Sequence, residues 1–300
     1  MGQVGGLGEG GNGSLTMNVP RRHHAIAEML QRRFTDSDGK LHFFDKRYPD
    51  NGIGYTTPSN LFVERDLYAQ RDKKGTIDAS LETEFMQKID GAGDQIIEKI
   101  VSAARNRTAP QLTTKEKNLW DLFFYYQWVR VPDEFQRIHA VQNFDELLGQ
   151  LIHAFETTVR PLTDEERRNL EVPAERERIK QNTKVRSLID AGQEARAILD
   201  QKGLGIAVIS RPKMSFVIGS SPIVKLTLPG RTHISDPSVE IWLPVAADVA
   251  VTPALRSGEE RLIQINDSRH VRHINEAIFG QSTVIAGRSK RLISSLATPR

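Results

Sequence analysis

Polar residues that could perform acid–base chemistry or hold a phosphate group occur at four separated places in the chain. His24 follows Arg21 and Arg22. Imidazole accepts protons near neutral pH, and the neighbouring arginines could hold a phosphate. His24 is therefore a candidate catalytic base or metal ligand. The alternative is a histidine that caps or packs at the start of a helix.

Arg130 follows the apolar segment Trp120–Val129, where an unpaired guanidinium group would be costly. Two interpretations remain open. Arg130 could form a structural ion pair with a carboxylate, and Glu82 is a candidate partner. Alternatively, its guanidinium group could bind an anionic ligand through two parallel hydrogen bonds. In the second interpretation Arg130 is a catalytic candidate together with His24.

Near the C-terminus, Arg269, Arg272, His273 and Glu276 recur at helical spacing and so share a helix face. Two arginines and a histidine provide for phosphate binding and proton transfer. Arg272 is accordingly a candidate ligand-binding residue, and Asn275 is a candidate catalytic residue that would orient a water or the attacked group. The same pattern is also typical of a solvent-facing helix.

Ser220 precedes Ser221 and Pro222 at the end of an apolar run. This position could present a hydroxyl or backbone N–H groups to a substrate, which makes Ser220 a second ligand-binding candidate. The sequence G-S-S-P lacks the G-x-S-x-G pattern of a nucleophile elbow. A plain turn is the alternative interpretation.

The amino-acid composition excludes several kinds of catalytic and metal-binding site. The chain has 300 residues, 38% of them hydrophobic and 26% charged, and it contains no cysteine. Thiolate nucleophiles, disulfides and sulfur-ligated zinc are thereby excluded. Carboxylates and imidazoles such as Asp36, Asp38, His42 and Asp45 occur without a recognisable metal-binding spacing. These residues leave a metal site open without predicting one, and the sequence assigns no cofactor.

Charge and hydropathy indicate the class of partner. Lys and Arg number 41 against 38 Asp and Glu, a net charge of +3, and residues 253–300 hold eight basic and four acidic residues. A basic face of this kind could bind nucleic acid or another phosphate-bearing ligand. The sequence contains neither a secretory signal nor an apolar run of membrane-spanning length, so we expect a cytoplasmic protein without a membrane partner. The oligomeric state stays open.

Residues 1–18 hold seven of the 22 glycines and almost nothing apolar, which predicts a disordered tail. Gly6, Gly8 and Gly11 match the spacing G-x-G-x-x-G. The dinucleotide fingerprint requires a strand before that loop, and none is predicted here. The tail is therefore not predicted to bind a cofactor.

Helical spacing dominates the chain up to residue 202. Ile26, Met29 and Leu30 predict a short helix over about 21–34, and apolar residues from Leu81 to Val101 predict a longer one. Thr113 followed by Glu116 has the pattern of a capping box at a helix start. We expect residues 19–202 to form a mainly helical lobe.

From Gly203 onwards the apolar residues follow the spacing of short strands separated by Pro or Gly turns. Asp267 and Ser268 then predict the start of a helix, and a strand and a basic helix over 289–296 follow. The prediction is an α+β fold, with a smaller, mostly antiparallel β lobe over residues 203–300 that carries a C-terminal helix.

The order of these features resembles that of a bacterial family known as domain of unknown function 4238, over about residues 20–296. The resemblance rests on these collinear pieces: His24 and Phe34 within HHAIAEMLQRRF, Phe62–Tyr68, Leu81–Glu82, Gln127–Pro132, Phe216–Pro222, Trp242–Pro244 and Asn275. The chain departs from the family pattern at Ala27, where members commonly have Pro, and at Ser221, where they often have Asp. The resemblance implies a fold and supplies no reaction, cofactor or substrate.

Two functional hypotheses follow. The first is an accessory enzyme of bacteria or phages, such as a hydrolase with a defence or toxin role. It would act on a phosphate-containing substrate such as nucleic acid, with His24, Arg130, Arg272 and Asn275 converging between the lobes. The second is a non-enzymatic binding or regulatory module that uses the basic C-terminal face. Salt-sensitive binding that does not depend on His24 would favour the second hypothesis.

Overall fold

A computed structural model describes residues 22–65, 67, 70–72, 77–78, 86–133, 144–190, 192–226 and 239–298. The predicted glycine-rich tail, Arg21 and Glu82 lie outside these residues. The strands are β1 (Arg22–His24), β2 (Leu41–Asp45), β3 (Gly54–Thr56), β4 (Val63–Arg65), β5 (Gln70–Arg71), β6 (Ile77–Asp78), β7 (Lys202–Ile209), β8 (Ile218–Gly219), β9 (Val224–Leu226), β10 (Glu240–Ala246), β11 (Val249–Arg256), β12 (Glu260–Ile265) and β13 (Val284–Gly287). The helices are α1 (Glu28–Gln31), α2 (Gln87–Arg105), α3 (Thr114–Val129), α4 (Phe144–Thr158), α5 (Asp164–Glu171), α6 (Pro173–Asp190), α7 (Gly192–Asp200), α8 (Ser268–Gln281) and α9 (Lys290–Ala297).

Helix α3 begins at the predicted capping box. The hydroxyl of Thr113 accepts a hydrogen bond from the backbone N–H of Glu116 at 3.2 Å, and the Glu116 carboxylate accepts one from the N–H of Thr113 at 2.7 Å. Both bonds satisfy backbone donors that the first helical turn leaves open. The helix ends at Val129, before Pro132, because proline cannot continue the backbone hydrogen-bond ladder.

Helices α2 and α3 pack closely at a glycine. The backbone of Gly93 on α2 lies against the ring of Phe123 on α3, and a Cβ placed on Gly93 would lie 2.3 Å from that ring. By contrast, Gly91 faces open space. The buried face of α2 comprises Ile89, Ile96, Ile97, Ile100, Val101 and Ala104.

The predicted helix over residues 21–34 is wrong at its start. Residues 22–24 form strand β1, which pairs antiparallel with β4, with His24 opposite Val63. Only Glu28–Gln31 is α-helical, and a 3-10 turn over Arg32–Phe34 follows. Pairing with β4 gives backbone groups of residues 22–24 hydrogen-bond partners. This pairing outweighs the helical spacing of the apolar residues that follow.

The five-stranded sheet has the order β12-β7-β11-β10-β9. Strand β7 pairs parallel with β12, and the other pairs in this sheet are antiparallel. Pro244 lies inside β10 where the register with β11 shifts, a place where a missing N–H is tolerated. Helix α2 packs on this sheet through β7 and β10.

The second large sheet joins distant parts of the chain. Its order is β3-β2-β13-β8, and all its pairs are antiparallel. Strand β2 from the N-terminal half therefore pairs with β13 near the C-terminus, with Phe44 opposite Ile285. One hydrophobic core contains residues from both halves, from Ile26 to Leu296. The fold is α+β, and the lobe boundary near residue 203 stays a prediction.

None of the helices in the described ranges is long and apolar enough to cross a membrane.

Candidate functional site

The candidate site is a cavity of about 690 Å³ between α8, the start of α9 and the turn that precedes Phe216. We call it the α8–α9 cavity. Its charged and polar lining residues include Lys213, Arg269, Arg272, His273 and Glu276. Met214, Val271 and Leu292 supply apolar wall.

The sequence of α8 explains why its charged residues face this cavity. Asp267 caps the helix by accepting a hydrogen bond from the N–H of Arg269 at 2.9 Å. Val271, Ile274 and Ile278 are buried against the core at helical spacing. The intervening positions, Arg272 and Glu276, are therefore left on the side that faces α9 and solvent.

Arg272 is held in place by both helices. Its Nε donates to Glu276 Oε1 at 2.7 Å, while Nη1 and Nη2 donate to the hydroxyl and the carbonyl of Ser295 on α9, at 2.8 and 2.9 Å. These bonds fix the plane of the guanidinium group on the wall of the cavity. A fixed cationic donor binds an anion with little further loss of side-chain entropy.

The other cations of the cavity are less restrained. Arg269 is paired with Asp267 at 2.8 Å, and hydrogen bonds from Arg269 hold the pKa of Asp267 at about 2. Lys213 is exposed and makes no hydrogen bond or ion pair with the described residues. Lys213 is thus available for a ligand, whereas Arg269 would have to exchange its carboxylate partner.

Asn275 also lines this cavity, and both ends of its amide are occupied. Its Oδ1 accepts the N–H of Val217 at 3.0 Å, and its Nδ2 donates to the carbonyl of Ser215 at 2.9 Å. Asn275 is 1% exposed. The side chain therefore connects α8 to the segment before β8, and its amide already has these two backbone partners.

Ser220 belongs to a different group of contacts, centred on Asp133. Its hydroxyl donates to the Asp133 carboxylate and accepts the N–H groups of Thr283 and Val284, at 2.9 and 3.0 Å. Asp133 also accepts the N–H of Thr283 at 2.7 Å. The proton of the Ser220 hydroxyl and its two lone pairs are thus all engaged within the protein.

Lys46 extends this second group. Its ammonium group donates to the carbonyl of Phe279 and lies 4.1 Å from the centre of the Phe279 ring. Burial lowers the pKa of Lys46, and the nearby Asp133 carboxylate opposes that shift. Lys46 and Asp133 connect β2, the end of α8 and the segment after α3, and sequence reasoning singled out neither of them for this role.

Arg130 is paired with a carboxylate that the sequence analysis did not select. Its Nη1 lies 2.9 Å from Asp90 Oδ1 and 3.1 Å from Oδ2, and its side chain is 1% exposed. Gln127 contributes a longer hydrogen bond to Asp90 at 3.4 Å. Glu82, the partner we considered, lies outside the described residues. The observed ion pair between Arg130, at the end of α3, and Asp90 on α2 supports the structural interpretation of Arg130.

His24 lies in strand β1, and its Nε2 is buried without a hydrogen-bond partner among the described residues. The residue after it, Ala25, packs with Leu67 and Val129. Val129 is adjacent to Arg130 in sequence. The structure thus brings the chain segments of His24 and Arg130 together.

The acidic residues that offered metal ligands form a surface network instead. Tyr55 donates its hydroxyl to Asp36 at 2.8 Å and to Asp38 at 3.1 Å, and His42 stacks on the Tyr55 ring with centroids 4.6 Å apart. Asp45 is paired with Arg47 at 2.8 Å. Within the described ranges, no group of three or more His, Asp or Glu residues has metal-binding geometry.

The predicted site residues therefore fall at three places. Arg272 and Asn275 share the α8–α9 cavity, whereas Arg130, Ser220 and His24, all described, do not line it. Sequence reasoning missed Lys213 at this cavity. The only sequence signal for Lys213 is its position in a polar R-P-K turn, which does not indicate that it faces a helix that begins 55 residues later, at Ser268.

Comparison with known proteins agrees with the order of motifs in the sequence. A family model described as Protein of unknown function (DUF4238) matches residues 22–293, which is nearly the whole chain. No curated protein and no solved structure gives a significant match. The family match includes the cavity residues from Lys213 to Leu292. The chain belongs to the DUF4238 family.

Proposed function

We propose that the protein binds a phosphate-bearing ligand in the α8–α9 cavity. The observation that carries this proposal is the excess of cationic side chains at the cavity. Lys213, Arg269 and Arg272 line it with one carboxylate, that of Glu276, and the Asp267 carboxylate that pairs with Arg269 lies beside it. Phosphate oxygens accept charge-assisted hydrogen bonds from such groups. The cavity volume of about 690 Å³ is in the range of small-molecule and cofactor sites.

Catalysis on the bound ligand is the second candidate, and His273 favours it. Its imidazole lines the same cavity as Arg272 and is exposed, so it could donate a proton to a leaving oxygen while arginine balances phosphate charge. Hydrolysis of a phosphate ester would then need His273. Arg130 and Asn275 take no part in this chemistry because both already have partners in the core, and His24 takes none because it does not line the cavity.

Calorimetric titration with pyrophosphate and with adenosine monophosphate tests the binding proposal. Lys213→Glu is the most informative variant, because Lys213 is exposed and its replacement removes no contact within the described residues. Lys115→Glu on α3 is the matched control, since it makes the same charge change at an exposed residue that does not line the cavity. We expect Lys213→Glu to weaken binding roughly tenfold, as removal of a charge-assisted bond implies, and Lys115→Glu to have little effect.

Glu276→Gln should change the affinity for the ligand in the opposite direction. It removes the negative charge that pairs with Arg272 on the cavity wall, so binding should become tighter. Equal weakening by Lys213→Glu and Lys115→Glu would contradict the proposal, as would absence of binding by the wild-type protein. Phosphate release from a model ester, lost in His273→Ala while pyrophosphate still binds, would support the catalytic candidate.

A further inference from the structure

Further exposed cations occur in the segments that form two walls of the α8–α9 cavity. Arg211 lies two residues before Lys213, in a turn closed by a 3.1 Å hydrogen bond from the N–H of Met214 to the carbonyl of Arg211. Lys290 and Arg291 are exposed in the first turn of α9, between the cavity-lining residues Ser289 and Leu292. These segments therefore carry positive charge beyond the residues that line the cavity itself.

Arg288 places another cation beside the cavity wall. Its Nη2 donates to the carbonyl of Met214 at 3.4 Å, which joins the segment before α9 to the turn that carries Lys213. Together, residues 211–214 and 267–291 hold seven Lys or Arg and two acidic residues. The chain segments that form and flank the recess are thus rich in positive charge.

We infer that this surface binds the phosphorylated end of a single-stranded nucleic acid, an inference that rests on the proposed phosphate site. A terminal phosphate monoester carries more negative charge than an internal phosphodiester, which suits the cationic recess. The following phosphodiesters would then lie against the flanking cations. A cavity of about 690 Å³ has room for a nucleotide-sized group, and the end of a single strand can enter it without breaking base pairs.

The distribution of apolar side chains argues against a membrane surface as the partner. Interfacial binding to a bilayer combines positive charge with apolar side chains that enter the lipid. The exposed large hydrophobic residues of the described chain are Tyr48, Tyr55, Leu151, Val159, Val172 and Ile263. None of them lies in residues 211–214 or 267–291, so the cationic surface lacks the apolar part of a membrane-binding face.

Fluorescence anisotropy with ten-nucleotide oligothymidylates tests this inference. The arms are a 5′-phosphorylated strand, a 3′-phosphorylated strand, a strand with two hydroxyl ends and a phosphorylated duplex. We expect one of the phosphorylated single strands to bind at least fivefold more tightly than the hydroxyl-ended strand. Pyrophosphate should compete with it, and Lys213→Glu should abolish the preference.

The flanking cations are tested with the double variant Lys290→Glu and Arg291→Glu. The control carries the same charge change, Lys88→Glu with Lys115→Glu, at exposed residues of α2 and α3 that do not line the cavity. The flank variant should weaken oligonucleotide binding about tenfold and lower the slope of log affinity against log salt by about 1.4, or 0.7 for each lost contact. Its affinity for pyrophosphate should stay within about twofold of wild type.

The outcomes of these experiments distinguish this inference from the proposed phosphate site on which it rests. Binding of pyrophosphate without binding of any oligonucleotide would overturn the inference and leave the phosphate site intact. A duplex that binds as tightly as the single strand would overturn the assignment to strand ends, as would vesicles of phosphatidylserine that bind in place of the oligonucleotides. Failure of pyrophosphate and of every oligonucleotide would overturn both.

Discussion

The amide of Asn275 is bonded to the backbone of Val217, with Oδ1 accepting the Val217 N–H at 3.0 Å. The other end of the same amide donates to the carbonyl of Ser215 at 2.9 Å. A buried side chain that satisfies one donor and one acceptor of a neighbouring segment determines how that segment lies against the helix. In this protein the pair positions the turn that carries Lys213 relative to α8.

Replacement of Asn275 should therefore act mainly on stability. Asn275→Ala leaves a buried N–H and a buried carbonyl without these partners, and each unsatisfied group costs about 1–3 kcal/mol. We expect the free energy of unfolding in urea to fall by about 2–4 kcal/mol. Asn118→Ala, at an exposed position of α3, is the control and should change it little. A stable Asn275→Ala protein that has lost only activity would instead support a catalytic role for Asn275.

Substitutions of Arg130 and Asp90 should have strongly non-additive effects on the free energy of unfolding. Arg130→Met leaves the partly exposed Asp90 carboxylate without this cation, and breaking a buried pair costs about 3–5 kcal/mol. The double variant Arg130→Met with Asp90→Asn should recover part of the loss in a double-mutant cycle. Arg168→Met on the surface of α5 serves as the reference. Additive effects of the two single changes would show that the ion pair contributes nothing of its own.

Two glycines of α2 should respond in opposite directions to alanine. Gly91→Ala meets open space and should stabilise the helix by roughly 0.5–1 kcal/mol, since alanine has the higher helix propensity. Gly93→Ala places a Cβ 2.3 Å from the Phe123 ring and should destabilise the fold by about 1–3 kcal/mol. Urea midpoints of the two variants measure this difference. Equal effects would contradict the close packing of α2 against α3.

Glu116 should make stability depend on pH in the acidic range. Hydrogen bonds from Lys99 and from Thr113 lower the pKa of Glu116 from 4.5 to about 2 in the folded protein. Because the folded pKa is depressed, the carboxylate stabilises the fold above the unfolded value of 4.5, and this contribution is lost as pH falls towards about 2.

The comparison with Glu116→Gln isolates this contribution. Glutamine does not titrate, so the difference in unfolding free energy between wild type and the variant should be largest above about pH 4.5 and should shrink towards about pH 2. A constant difference across this range would show that Glu116 does not titrate with the predicted shift. The Thr113 capping box persists in the variant, because glutamine can accept the same backbone hydrogen bond.

Several elements could be predicted because their signals are local. The Thr113 capping box and the Asp267 cap both begin helices where the sequence indicates, since each depends on groups within one turn. The α+β class follows from the change of period near residue 203. Strand β1 was missed because its pairing with β4 depends on residues about 40 positions away.

In the candidate site, too, the features set by local spacing could be predicted and the long-range contacts could not. Helical spacing places Arg269, Arg272 and Glu276 on one face of α8, and the cavity confirms that they lie together. The partners Asp90 of Arg130 and Asp133 of Ser220 are 40 and 87 positions away in sequence, and no local pattern identifies them. Long-range packing selects these partners, so the sequence alone leaves both interpretations of Arg130 open.

A crystal structure of the protein with bound pyrophosphate would show whether the α8–α9 cavity is a phosphate site. We expect one anion in this cavity, within hydrogen-bond distance of Lys213 and Arg272, that is absent from crystals of Lys213→Glu grown under the same conditions. An anion bound only at another basic site, with the α8–α9 cavity empty at saturating pyrophosphate, would contradict it.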